Sequence, residues 1–499
     1  MKRLSWIKNY TWLIVGCILL LFAGGKWNVP VATWLAPVFL LRFFRTRERW
    51  YEILVALPAV FLCELVWMFG LMPPPPEISI PLFLGICAFV ALTVVLPYIV
   101  DCLMVRLLDQ PMVSIFLFPA LVTIVHFAGT FLPLGAGPAW VHNLFESKSL
   151  IQLVSITGAW GVSFLVAWFA SLVNVLWEYY WDIARFKAYA LAFVVVLSLV
   201  LAYGGLRLSV LKPRAETVKV GSVLVEWPGE MNYFWGYILR GSPEAEAEDY
   251  RQETHRIHDE LFAVSEKLIP SGVKIVVWPV GNSPVFEDEE EELIRRAQFL
   301  AEDNGIYLFM PVLTIKVGQM EAENKTVAIR PDGTVAFVYH KMQASLVEPL
   351  SESSESMPVL DTPYGRLSTA ICWDMGFPQL IRQAGREKVD ILLVPADQPA
   401  KLLTPTQTHL YLFRGIENGT SVVLPTLDGL SAAIDYQGRV LAQQNFYTTL
   451  QDRTILYDVP TRGVRTLYAL AGDWFAYLVI VGTVVLVGWA TWKKVRVYR

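Results

Sequence analysis

Ala370-Ile371-Cys372-Trp373-Asp374 ends an apolar, β-like run, and it holds the one cysteine that lies outside the apolar first half of the chain. Upstream, Tyr339-His340-Lys341 ends a second such run, and Val276-Val277-Trp278 leads a third into Pro279-Val280. A cysteine that transfers acyl groups must reach the thiolate form. It needs a group that moves protons and a cation or donor for the developing oxyanion. Cys372, at the end of its run, is placed at the kind of turn where such nucleophiles sit. Lys341 follows the turn Arg330-Pro331-Asp332-Gly333 and is placed to point a cation into the same cleft. Taken singly, each residue has a plainer reading: a lone cysteine is a small buried hydrophobe, and a lone lysine is a surface charge.

Around these residues the periodicity is that of an α/β domain. Val218–Val225, Val273–Trp278, Ile306–Val312, Thr326–Ile329, Leu367–Cys372, Ile391–Val394 and Val422–Pro425 are short β-branched runs. Glu248–Leu268 and Leu293–Asn304 carry apolar residues at helical spacing. Arg330–Gly333 and Asp435-Tyr436-Gln437-Gly438 read as hairpin turns, so the expected sheet is mixed. The acidic run Glu287–Glu292 reads as a solvated helix start, where negative charge suits the helix dipole. Tyr233-Phe234-Trp235-Gly236-Tyr237 reads as a loop, either packed on the domain or dipping toward lipid.

Outside this region the chain is far more apolar. Of its 499 residues 55% are hydrophobic and only 17% charged, and the mean hydropathy is +0.44, outside the range of ordinary soluble domains. A net charge of −4 argues against nucleic-acid binding, which needs a basic surface. The other cysteines, Cys17, Cys63, Cys87 and Cys102, fall in apolar stretches and make no disulfide framework. A bilayer core takes roughly 20 apolar residues. Expected spans are Tyr10–Ala23, Val31–Phe44, Ile53–Met72, Ile80–Val100, Met112–Leu132, Leu150–Leu176, Ala188–Leu206 and Trp474–Trp492, the first two short and the second containing Pro37. The first is not followed by a small-x-small cleavage site. Pro73–Pro76 reads as a stiff loop.

Charge predicts the orientation. With the amino terminus inside, the cytoplasmic segments hold Lys2, Arg3, Lys8, Arg42, Arg45, Arg47, Arg49, Arg106, Arg185, Lys187, Lys493, Lys494, Arg496 and Arg499. The short outer loops hold Lys26 and Lys148, which is fourteen against two. The expected organisation is a membrane domain of about seven helices over residues 1–210, an extracytoplasmic domain over 211–470, and a last helix with a cytoplasmic tail over 471–499.

Four blocks give the soluble part a likeness. Asp332-Gly333 with Tyr339-His340-Lys341, then Pro363-Tyr364-Gly365 with Ile371-Cys372-Trp373-Asp374, are the first two. Arg414-Gly415-Ile416-Glu417-Asn418-Gly419 is the third, and Asp428-Gly429-Leu430-Ser431-Ala432 with Tyr436–Leu441 the fourth. In this order they resemble the nitrilase, or carbon–nitrogen hydrolase, superfamily, whose catalytic trio is Glu, Lys and Cys. Together with seven spans before the domain, one after it, and Gln152 with Thr157–Phe164, the layout resembles the apolipoprotein N-acyltransferase family. The resemblance implies a multi-pass α-helical membrane domain plus an α/β nitrilase-like domain, an α-β-β-α sandwich, in the cytoplasmic (inner) membrane. It implies a phospholipid acyl donor, a thioester on the cysteine and a lipoprotein amine as acceptor. No cofactor or metal is implied, and a monomer is expected.

Carried over by resemblance, Cys372 is the nucleophile, Lys341 the oxyanion-side cation and Glu348 the second glutamate, one residue nearer the lysine than usual. Asp374 stands where the family has glutamate. Val280 stands at the position of the general base, so the base is missing. Asp428 stands in place of asparagine, and it and Asp374 are the possible substitute acids. Val394-Pro395-Ala396-Asp397-Gln398-Pro399 replaces a tryptophan-bearing neighbourhood. His126 and Glu64, within expected spans, are functional candidates by their depth or else hydrogen-bonded structural groups. Three readings stay open: an acyltransferase with an altered base, a catalytically dead relative that binds lipid or protein, and a membrane-tethered nitrilase-type amidase.

Overall fold

The computed structural model describes residues 2–47, 50–69, 79–133, 135–137, 139–210, 216–225, 233–344, 348–398, 404–427, 429–445 and 453–497. The chain divides into two compact units, Met1–Lys212 with Ala471–Arg499, and Pro213–Leu470.

Among the described residues the second unit holds thirteen strands. They are β1 (Thr217–Val223), β2 (Ile275–Val277), β3 (Pro284–Phe286), β4 (Tyr307–Ile315), β5 (Ala322–Ile329), β6 (Val335–His340), β7 (Leu360–Thr362), β8 (Gly365–Thr369), β9 (Ile391–Leu393), β10 (Ser421–Leu424), β11 (Leu430–Ile434), β12 (Val440–Asn445) and β13 (Thr454–Pro460). One sheet runs β13-β1-β2-β4-β5-β6 with β3 also on β4, and the other runs β12-β11-β10-β9-β8-β7. Both are mixed: β1, β2 and β4 are parallel, while β4, β5 and β6 are antiparallel. The turns at Arg330–Gly333 and Asp435–Gly438 join antiparallel neighbours, as their Asp-Gly and Gln-Gly endings predict.

Strand residues alternate between two cores. Val220, Ile275, Val277, Phe309 and Ala328 of the first sheet pack with Leu367, Ile391, Leu393, Val423 and Ala433 of the second. Their neighbours Val276, Leu308, Met310 and Val312 face helices Ala247–Leu268 and Glu290–Asn304 instead, against Ile257, Leu261, Ala297 and Leu300. Because both faces are buried, these strands read as continuous apolar runs rather than alternating ones. Helix Thr404–Asn418 covers the second sheet, where Gly415 lies so near Val422 and Ile434 that a side chain would not fit. The result is an α-β-β-α sandwich.

Tyr233–Leu239 is a short helix, not a loop. Phe234 and Tyr237 are fully buried, with Tyr237 stacked on Tyr250 at 4.0 Å between centroids. The apolar residues one turn apart favour a helix because they reach the same core.

The first unit is helical: Lys2–Phe22, Pro30–Arg45, Trp50–Leu54 with Ala56–Met68, Ile80–Leu108, Pro111–Gly129, Ala159–Glu178, Ile183–Ser209 and Trp474–Val497. Among the described residues six helices are long and apolar enough to cross a membrane, and Tyr10–Phe22 is a shorter apolar one. The far end of the expected span Ile53–Met72, and Pro73–Pro76, lie outside the described residues. The stretch Leu150–Leu176 is not one helix. Lys148–Ile151 and Val154–Thr157 are single turns, and Gly158, at φ 65°, breaks the chain before Ala159–Glu178 begins. Gln152 causes this locally, because its amide bonds the Lys148 carbonyl at 3.0 Å and takes a bond from Arg207 at 2.5 Å. Those bonds fold the segment against helix Ile183–Ser209, where Gly204 leaves no room for a side chain beside Ser149.

Several buried polar groups of this unit find partners. Arg45 grips Asp101 with two bonds of 2.8 and 3.0 Å and also reaches the Ser114 carbonyl. Arg47, 2% exposed, lies over the rings of Tyr10 and Phe43. His126 bonds Ser163 at 3.1 Å and stands edge-on to Trp140. Glu64 is buried in Ala56–Met68.

Candidate active site

Cys372 begins a tight turn, Cys372–Gly376, three residues beyond the end of β8. Its φ is 45°, a left-handed conformation rare for a residue with a side chain. Such a backbone costs on the order of 1–3 kcal/mol and persists only where its surroundings enforce it. The enforcing contacts are specific. The Cys372 amide donates to the Pro395 carbonyl at 2.9 Å. Buried Asp374 accepts from the Ile371 amide, the Tyr339 hydroxyl and the Gln343 amide, each at 2.8 Å. Asp374 therefore ties the cysteine turn to the end of β6, where Lys341 emerges.

Lys341 is 2% exposed, and its amide donates to the Asn324 carbonyl of β5 at 2.8 Å. Its ammonium pairs with Glu348, whose other oxygen accepts from the Asn324 side chain at 3.1 Å. Burial works against the ammonium, yet Glu348, the Cys372 thiol and Asp374 together hold it above the ordinary lysine range. Burial pushes the Cys372 thiol up, while the Lys341 charge draws it back down and Glu348 raises it. Burial also pushes the Asp374 carboxyl up to about 6, against the pull of its three donors and Lys341.

Val280 follows the end of β2. It is buried with Tyr339 and Ile371 in a small apolar group, and Phe337, Met342 and Cys372 pack against it. The side chain nearest the expected base position is thus a hydrocarbon on the wall beside the sulfur. Asp428 lies outside the described residues. Asp374 touches the turn, but its oxygens are committed to backbone and phenol donors.

Two features went unread in the sequence. The thiol lies 3.5 Å from the Asp397 carbonyl and 3.7 Å from the Tyr411 hydroxyl. Tyr411, on helix Thr404–Asn418, is fully buried. One turn further along, Arg414 pairs with Glu417 and donates to the Met375 carbonyl at 3.1 Å, so the same helix face braces the turn after Cys372. The spacing of Tyr411, Arg414 and Glu417 at three-residue intervals was the available signal.

Glu323, His340 and Glu352 could present three ligand atoms to a metal ion. Lys316 and Lys325 bond Glu323 at 2.7 and 2.6 Å. Burial opposes its charge, but these two ammonium groups hold its carboxyl down at about 2. They occupy the cationic position themselves.

Residues 242–466 match the carbon–nitrogen hydrolase family model, and residues 16–172 match that of the apolipoprotein N-acyltransferase N-terminal domain. The two matches together support a member of the apolipoprotein N-acyltransferase family. The first match falls in the sandwich and the second in the helical unit. An apolipoprotein N-acyltransferase of Shewanella oneidensis is 22% identical over 422 residues, covering 76% of this chain and 74% of that protein. One of Geobacter metallireducens is 24% identical over 387 residues, covering 71% and 69%. Among solved structures, an amidase from Nesterenkonia sp. is 17% identical, with a TM-score of 0.39 over 50% of this chain and 92% of its own. The six apolar helices among the described residues and these matches make this a multi-pass membrane protein with a nitrilase-like domain.

Proposed function

We propose that this protein is a slow membrane acyltransferase that carries an acyl chain from phospholipid, through a thioester on Cys372, to the terminal amine of a lipoprotein. One observation carries the reading: a cysteine held left-handed at a strand end, with a buried lysine–glutamate pair acting on its charge. In this scheme the sulfur attacks the ester carbonyl and the Lys341 ammonium stabilises the oxyanion that forms. The lysophospholipid leaves, and the acceptor amine then attacks the thioester. Glu348 holds Lys341 charged and in place. The scheme uses no cofactor and needs one chain.

Val280 is why the rate is low. A general base is typically worth ~10²–10⁴ in rate, and a valine accepts no proton. The same valine favours a second reading, in which the site binds lipid or lipoprotein without turnover, because burial keeps the thiol protonated. Mass spectrometry of Cys372 from purified protein separates the two. A hydroxylamine-labile acyl adduct, absent in Cys372→Ser, is expected for the enzyme. An unmodified thiol after incubation with phospholipid would leave the binding role.

We further infer that the sandwich lies outside the cytoplasm. Arg45 and Arg47 turn into the helical unit rather than into a loop. The inner segments still hold twelve basic residues against two.

A further inference from the structure

We propose that the Tyr411 hydroxyl is the proton relay of Cys372, occupying functionally the role left open at Val280. The proposal rests on the acyl-transfer reading above. Each step of that reaction has a proton to move. In the first, the S–C bond forms and the ester C–O bond breaks; the thiol proton must reach the departing alkoxide. In the second, the C–N bond forms and the C–S bond breaks; a proton of the amine must return to sulfur.

Two of the carboxylates near the sulfur are committed to other partners. Glu348 is committed to Lys341 and Asn324, and Asp374 to Ile371, Tyr339 and Gln343. Val280 and Ile371 present hydrocarbon. Among the described residues, Tyr411 is the proton-exchanging side chain in contact with the sulfur, at 3.7 Å. Its ring is fully buried, and the helix that carries it is locked to the cysteine turn by Arg414 on Met375. The hydroxyl therefore stays beside the sulfur.

A phenol can accept and donate in one concerted exchange. Its oxygen takes the thiol proton while its own proton passes to the alkoxide, and Tyr411 ends as it began. The second step runs the exchange from amine to sulfur. Atoms and charge balance with no added reactant.

The test uses the full-length protein in detergent micelles, with iodoacetamide as one probe and a phospholipid with an alkyne-tagged acyl chain as the other. Tyr411→Phe keeps the ring and removes the hydroxyl. It should raise the pH midpoint of Cys372 alkylation and slow thioester formation about 10²-fold, the lower end for proton-transfer catalysis. Incorporating 3-fluorotyrosine at position 411, which keeps the hydroxyl and makes it more acidic, should move the pH profile of acylation to lower pH. A residue that only packs would not do that. Identical alkylation and acylation profiles for wild type and Tyr411→Phe would overturn the relay, as would a fluorotyrosine profile that does not move. An alkylation midpoint that shifts in Tyr411→Phe, with no thioester formed even by wild type, would support the sulfur–phenol exchange and sink the acyl-transfer reading instead.

Discussion

Val280 is one side chain, and it puts hydrocarbon on the wall beside the sulfur. A carboxylate at this position would stand beside the thiol and share its wall with Tyr339 and Ile371. Val280→Glu should therefore raise thioester formation at Cys372 by roughly 10²-fold, within the range of a general base. Single-turnover acylation by phospholipid measures it. A folded Val280→Glu protein no faster than wild type would mean that the Tyr411 hydroxyl beside the sulfur already supplies the whole of that gain. Glu323 answers to a different test. Its carboxyl titrates at about 2 in the fold because Lys316 and Lys325 bond it, against an ordinary value of 4.5. A depressed carboxyl adds stability above its unfolded pKa and loses it as pH falls through the folded one. Wild type should thus melt above Glu323→Gln at pH 7, with the gap narrowing steadily from pH 4.5 toward 2. A gap that is constant with pH would show that the ion pairs contribute nothing.

At the scale of elements, the site is a meeting of strand ends and one helix. β6 delivers Lys341, β8 delivers Cys372, and Thr404–Asn418 closes over both the second sheet and the cysteine turn. That helix keeps its hold through the Arg414–Glu417 pair, in which both side chains are essentially unexposed. Removing one partner of a buried pair leaves an uncompensated charge and typically costs about 3–5 kcal/mol. Glu417→Gln should lower the thermal midpoint by several degrees. It should also speed alkylation of Cys372, since the turn that Arg414 braces at Met375 would loosen. Unchanged melting would show that the pair is a passive neighbour. In the other unit, the break at Gly158 has a similar logic. Polar Gln152 finds Arg207 and the Lys148 carbonyl, and a continuous helix would lose the first of these bonds.

For the whole molecule, two units built on different physics share one chain. The helical unit is held by apolar packing around a few buried polar pairs such as Arg45–Asp101. The sandwich is held by two sheets and their covering helices. The positive-inside asymmetry predicts that residue 214 and residue 499 face opposite sides of the membrane. Reporter fusions at the two positions check this, with an active periplasmic-type reporter expected only at the first. The same compartment at both would reverse the inferred placement of the sandwich.

Much of this was legible without coordinates, for a physical reason. Strand and helix are local, so the β-branched runs at Val276, Leu308 and Val422 and the Asp-Gly turn after Pro331 announce their own conformations. Apolar length announces membrane helices in the same way, and the order of motifs placed Cys372 and Lys341 at strand ends. Failures came where distant contacts outweigh local pattern. Tyr233–Leu239 read as a loop but is helical, since Phe234 and Tyr237 gain a core that the segment alone does not contain. Leu150–Leu176 read as one span, but Gln152 takes partners on another helix. The surroundings of the sulfur are of this second kind. That Tyr411, 39 residues from Cys372, reaches it, and that Asp374 is a brace between two strand ends, follow from how β6, β8 and a helix converge. Sequence determined the elements and the reactive residue types, because those depend on neighbours along the chain. Only the tertiary structure decided which groups meet the thiol, because that depends on neighbours in space.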